Sequence, residues 1–78
     1  MTTQSFIVVQ TFGQEYSCYK IMVLSKNRNR YLVWYYYPIQ AVNNQEVLIT
    51  ISNYNSWERI NNPKNGKSSC IKRVNKIS

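Results

Sequence analysis

Residues 20–37 read KIMVLSKNRNRYLVWYYY, and the fold class turns on them. Two runs rich in β-branched and aromatic residues flank a polar segment that carries three cations, Lys26, Arg28 and Arg30. Residues of the first kind favour extended chain, so two such runs joined by a short polar segment read as a β-hairpin. The tip of this hairpin is basic and its second strand, Tyr31 to Tyr37, is aromatic. Pro38 ends that strand because proline has no N–H to give to a ladder.

The pattern continues on both sides. Upstream, Ser5 to Phe12 (SFIVVQTF) is a strand with Phe6 and Val8 on one face and Ile7 and Val9 on the other, which predicts cover on both faces. Gly13-Gln14-Glu15 is expected to turn the chain, with Gly13 free to take a positive φ. Tyr16 to Leu24 follows as a strand, placing Tyr19, Ile21 and Val23 opposite Cys18, Lys20, Met22 and Leu24. Downstream, residues 39–45 form a loop around Asn43-Asn44. Glu46 to Ser52 (EVLITIS) then alternates cleanly, with Val47, Ile49 and Ile51 inward and Thr50 and Ser52 outward.

Asn53 to Ser69 is rich in Asn, Ser, Pro and Gly, which predicts a loop with one helical turn over Ser56 to Ile60, capped by Ser56 and stopped by Pro63. Cys70 to Ile77 reads two ways. Its Cys, Ile and Val favour a strand, while Ile71, Val74 and Ile77 recur every three residues as on a short helix. A small barrel needs a further strand to close, and that favours the strand. The expected fold is therefore all-β: one domain over 1–78, a small five-stranded antiparallel barrel or strongly bent sheet, SH3-like or OB-like, with one short helical turn before the last strand. Architecture of this kind brings no function with it.

Composition narrows the classes. A chain of 78 residues holds one domain and buries only roughly 60% of its unfolded surface, so a partner, a second copy or a disulfide would add to a small core. With 44% hydrophobic and 14% aromatic residues it is far too apolar to stay disordered. Ten Lys and Arg stand against three acids, Glu15, Glu46 and Glu58, for a formal charge of +7. A field of that sign attracts nucleic acid, an anionic surface or an acidic protein. No apolar run approaches the roughly 20 residues of a membrane span, and the N-terminal residues lack the pattern of a signal peptide, so the expected location is cytoplasmic or intracellular. Cys18 and Cys70 lie in strand-like runs and are expected to be unpaired, small buried hydrophobes.

The chemistry of the chain is sparse. It has no His and no Asp, so the commonest general base and metal ligand is missing and a carboxylate pair is hard to assemble. Two cysteines without His make no zinc site. Asn65-Gly66-Lys67-Ser68 resembles the end of a phosphate-binding loop, but that motif needs a glycine where Asn61 stands. Some toxin endoribonucleases work with Arg, Lys, Tyr and Glu alone, and nothing in the spacing here singles such a set out. The expectation is a non-enzymatic protein without cofactor, catalytic residues or metal.

The aromatic strand carries the positive signal. Trp34 and Tyr36 share one face, and Tyr31, Val33, Tyr35 and Tyr37 the other, so one set is expected outside the core. Exposed rings beside cations can stack on unpaired bases while the cations hold phosphates. The expected nucleic-acid-binding set is Lys20, Lys26, Arg28, Arg30, Trp34, Tyr36, Arg59, Lys72 and Arg73, acting on RNA or single-stranded DNA with low sequence specificity. Tyr and Trp are also enriched at protein interfaces, so the alternative is an adaptor, linker or inhibitor on an acidic protein, with a homodimer as a further option. Trp57, in the polar loop with Tyr54, is expected to fold back as a lid over the core.

Residues 47–77 resemble in outline the small basic linker domains of phycobilisomes: a strand, Tyr54 and Trp57, a Gly66-Lys67 turn, and a final strand with Ile71 and Val74. Those domains carry a helix where Pro63 and the Asn-rich loop stand here, and the Lys20–Tyr37 hairpin has no counterpart in them. The likeness covers well under half the chain and assigns no family. What it implies is that docking of a basic linker on an acidic protein is the rival to weigh.

Overall fold

The hairpin forms where the sequence puts it, in a computed structural model that describes residues 1–77; residue 78, the last of the expected domain, lies outside that range. Strand β2 (Cys18–Leu24) pairs antiparallel with β3 (Arg30–Tyr35), from Tyr19 opposite Tyr35 to Leu24 opposite Arg30. The tip is closed by the Ser25 N–H donating to Asn29 O at 2.9 Å and the Arg28 N–H donating to Ser25 O at 3.0 Å. Around the hairpin stand β1 (Thr2–Glu15), β4 (Glu46–Ile51), β5 (Trp57–Asn61) and β6 (Ser68–Lys76). Each neighbouring pair is antiparallel, and the order β1-β2-β3-β6-β5-β4 closes into a barrel.

Two three-stranded meanders thus meet twice, β1 against β4 and β3 against β6. The long β1 makes this possible: residues 2–7 pair with β4 and residues 7–15 with β2. Closure leaves few unpaired ladder groups, which a small all-β chain needs. In β4 the inward residues are the expected Val47, Ile49 and Ile51, whereas β1 is covered on one face only, with Phe6 and Val8 inside and Ile7 exposed. Phe6, Val8, Ile21, Val23, Val33, Val47, Ile49 and Ile60 are all at most 1% exposed. Burying an Ile, Val or Phe side chain contributes about 1.5–3 kcal/mol each.

Four details differ from expectation, and β-bulges explain most of them. The barrel has six strands rather than five, and Ser56 to Ile60 is no helical turn: Trp57–Asn61 is β5. The register shift opposite Thr50/Ile51 leaves Glu58 as the extra residue, so Trp57 and Ile60 both turn inward although they are three apart. The same device operates in β6, where Ile71 opposes Tyr35 and Arg73 opposes Trp34, with Lys72 extra. A bulge in a strand therefore imitates the spacing of a helix. Third, Gly13-Gln14-Glu15 is not the turn. Gly13 lies inside β1 at a bulge with φ +74°, and the chain reverses at Tyr16-Ser17. Fourth, β3 ends at Tyr35, because Ser69 Oγ accepts the N–H groups of both Tyr36 and Tyr37, at 2.9 and 3.0 Å.

The connection from β3 to β4 crosses one end of the barrel, and Ile39 within it is fully buried as a plug. Beneath the plug, Asn62 Nδ2 donates to Ile39 O at 2.7 Å, and Gln45 Nε2 donates both to Asn62 Oδ1 and to Glu46 O. Asn62 and Gln45 are themselves buried, and no buried side-chain polar atom among the described residues lacks a partner. The other end is closed by rings. Trp57 packs on Phe6 and Tyr31, at centroid distances of 5.1 and 4.7 Å, and so is the expected lid. The cysteines are both free, Cys18 buried and Cys70, against expectation, exposed on the outer face of β6. The described residues include no helix long and apolar enough to cross a membrane.

Candidate functional site

Alternation along β3 fixes which aromatic set leaves the core. Tyr31, Val33 and Tyr35 point in, so Arg30, Leu32 and Trp34 point out. Trp34 lies opposite Lys20 on β2 and opposite Arg73 on β6, so one indole is flanked by a cation from each neighbouring strand. The Arg73 guanidinium carbon is 4.1 Å from the ring centroid and the Lys20 Nζ 5.6 Å. Lys20 Nζ also lies 4.8 Å from the Phe12 ring, which a bulge in β1 turns to the outside. A cation over an aromatic face contributes about 0.5–1 kcal/mol where water has access. Here the rings also hold long side chains in place that would otherwise sweep the solvent.

On the far side of β6 the barrel gapes. Strand β5 pairs with β6 only from Arg59–Cys70 to Asn61–Ser68, so β6 beyond Cys70 is paired on its β3 side alone. The seam is a groove of about 380 Å³ lined by Tyr31, Asn55, Ser56 and Trp57 together with Lys72, Arg73 and Lys76. Among the described residues no acidic side chain lines it. The bulge in β6 matters here, because it places Lys72 and Arg73 side by side between the Trp34 face and the seam. Both residues line a second hollow of about 170 Å³ as well, bounded by Trp34, Cys18 and the Glu15–Ser17 turn. A band of cations and rings therefore runs from Lys20 across Trp34 and Arg73 into the groove under Trp57.

Of the nine residues expected to bind, Lys20, Trp34, Lys72 and Arg73 come together. Arg30 lies on the same outward row as Trp34 with Leu32 between them. Arg59 is on β5 beside the same strand, its Nη1 3.4 Å from Cys70 Sγ. The structure does not bring Lys26 and Arg28 to this band. They sit at the exposed hairpin tip, and Lys26 lines a different hollow, against Thr3, Ser5 and Leu48 of β1 and β4. Tyr36 is 44% exposed but lies beyond the end of β3, so it has no place in the outward row of Trp34.

Sequence reading missed Tyr31, Trp57 and Lys76 as groove residues and Phe12 as a partner of Lys20. No spacing marks them, because the bulges and the splayed β5–β6 seam arise only on closure. Tyr35 belongs to the core instead. It stacks on Tyr19 with centroids 5.7 Å apart, and burial, with a smaller contribution from Tyr19, pushes its hydroxyl up to about 12. Among the described residues no group of three His, Cys, Asp or Glu side chains comes together that could hold a metal.

No protein-family model matches this chain, and it matches no curated protein and no solved structure.

Proposed function

We propose that this protein is a non-enzymatic module that binds single-stranded nucleic acid along the band from Lys20 to Trp57. The observation that carries the reading is Trp34, turned outward between Lys20 and Arg73 and continuous, through Lys72, with an acid-free groove lined by two further rings. Stacking platforms interleaved with cations suit unpaired strands, since every base has a π-face and every linkage a negative charge. Duplex DNA hides those faces. Three dispersed Glu and no His give the chain little with which to cleave a phosphodiester.

The test is fluorescence anisotropy with labelled single- and double-stranded oligonucleotides of one mixed sequence, at about 50 and 200 mM salt. Single strands bind more tightly than duplex, and the affinity falls steeply between the two salts. Absence of single-strand binding at the lower salt, or indifference to salt, sinks the reading.

One observation favours a second reading. The outer face beside the cations is apolar, with Ile7 opposite Leu24 and Met22 opposite Leu32, and Ile7 is 41% exposed. An apolar patch rimmed by cations also suits docking on an acidic protein. In that case Trp34→Ala abolishes the protein complex and oligonucleotides do not compete with it.

A further inference from the structure

The hollow at the head of β2 places the Glu15 carboxylate among the band's cations, with Lys72 and Arg73 in the same lining. Glu15 closes the β1–β2 hairpin opposite Cys18, and alternation sends both side chains to the outer face that also carries Trp34. The hollow is lined by the buried Cys18, by Trp34, Lys72 and Arg73, and by the exposed Glu15. Among the described residues no side chain hydrogen-bonds the Glu15 carboxylate, whereas that of Glu46 accepts from Ser5 Oγ at 2.5 Å. On a surface that holds phosphates an acid is a cost, because it repels the backbone that the cations attract. An acid beside a stacking ring is a different matter, since it faces the edge of a stacked base.

Base edges differ in what they offer a carboxylate. Guanine alone presents two adjacent donors, N1–H and N2–H, which match the two oxygens of one carboxylate. Cytosine and adenine each present one amino group next to a ring acceptor, and uracil presents one N–H between two carbonyls; those lone pairs are repelled. Resting on the nucleic-acid reading above, we propose that the hollow between Trp34, Arg73 and Glu15 is a guanine-selective subsite in an otherwise sequence-tolerant track. The base stacks on the Trp34–Arg73 pair and its Watson–Crick edge donates to Glu15, while Lys72 takes the neighbouring phosphate.

The experiment is anisotropy with a labelled uridine octamer and with the same octamer carrying one central guanosine or one central inosine, which lacks the 2-amino group. A parallel thymidine series with one deoxyguanosine tells whether the subsite accepts guanine from RNA, DNA or both. A good two-donor pair is worth about tenfold or more in discrimination. The expected result is about tenfold tighter binding of the guanosine octamer in at least one series, a smaller gain with inosine, and loss of the preference in Glu15→Gln. Thermal unfolding of Glu15→Gln checks that the barrel is intact. Binding without guanine preference, or a preference that survives Glu15→Gln, overturns the subsite and leaves the module standing. Failure of every oligonucleotide to bind overturns both.

Discussion

The guanidinium of Arg73 lies 4.1 Å from the centre of the Trp34 ring, on the strand next door and on the outside of the barrel. Two residues 39 positions apart in sequence are thereby made into one platform, and neither belongs to the core. A guanidinium laid on an indole offers a stacking surface that is also charged, which a bare ring does not.

Separation of binding from folding follows from that placement. Trp34→Ala weakens single-strand binding about tenfold or more, since a base stacked on an aromatic ring is worth about 1–3 kcal/mol. Its cost to stability is far smaller than that of Phe6→Ala, which empties a fully packed site and costs about 3–5 kcal/mol. Urea unfolding and anisotropy on the same two variants check the pair. A Trp34→Ala protein that binds as the parent does removes the platform.

The cations divide in the same manner. If Lys20, Lys72, Arg73 and Lys76 each neutralise one phosphate, log affinity falls with log salt at a slope of about −3, at roughly 0.7 per contact on a single strand. Changing Lys72 and Arg73 to Gln together reduces the slope by about half. Changing Lys26 and Arg28 to Gln leaves it nearly as it was, because the hairpin tip stands apart from the band. A tip double variant that flattens the slope as much as the β6 pair does would place the track elsewhere on the barrel.

The contrast between the tip and the band also marks where sequence reading succeeds. Strict alternation makes the strands β2, β3 and β4 legible and, in β4, the inward residues Val47, Ile49 and Ile51 as well. Parity sets Trp34 apart from Tyr31, Val33 and Tyr35 and leaves open which set faces out; the burial of Val33 and Tyr35 decides it. What alternation cannot express is an extra residue. Glu58 and Lys72 each shift the parity of a strand, so Trp57 and Ile60, or Ile71 and Val74, stand three apart and look helical while packing on one barrel. Sharing a hairpin groups Lys26 and Arg28 with Lys20 in sequence, yet charges on one hairpin spread along its whole length. Arg73 and Trp34 could not be paired at all without the β3–β6 register.

The plugged end of the barrel makes a separate prediction. Asn62 is 1% exposed and holds Ile39 O, Gln45 Nε2 and the Lys64 N–H at once. Asn62→Ala leaves Gln45 with an unmet buried donor, at a cost of about 1–3 kcal/mol in urea unfolding. Hydrogen exchange quickens at the Val42 and Asn44 amides, which bond to Gln45 Oε1 and Val8 O and sit in the crossing connection. Unchanged exchange there would mean that Ile39 alone pins the crossing.

Tyr35 gives the barrel a pH response at the alkaline end. In the unfolded chain its hydroxyl ionises near 10, and in the folded barrel at about 12, chiefly because burial disfavours the phenolate and secondarily because Tyr19 is stacked beside it. Between those values the unfolded chain releases the proton while the folded one keeps it, so the unfolded state is progressively favoured. The contribution is intact below about pH 10 and is lost as pH rises toward 12, at up to about 1.4 kcal/mol per pH unit. Other groups titrate in the same range, so the informative quantity is the stability of the parent minus that of Tyr35→Phe, measured by urea unfolding from pH 8 to 11.5. That difference is flat up to about pH 10 and then declines, because phenylalanine has no proton to lose. Parallel curves across the whole range would mean that water reaches the Tyr35 hydroxyl and that the Tyr19–Tyr35 stack does not seal this end of the core.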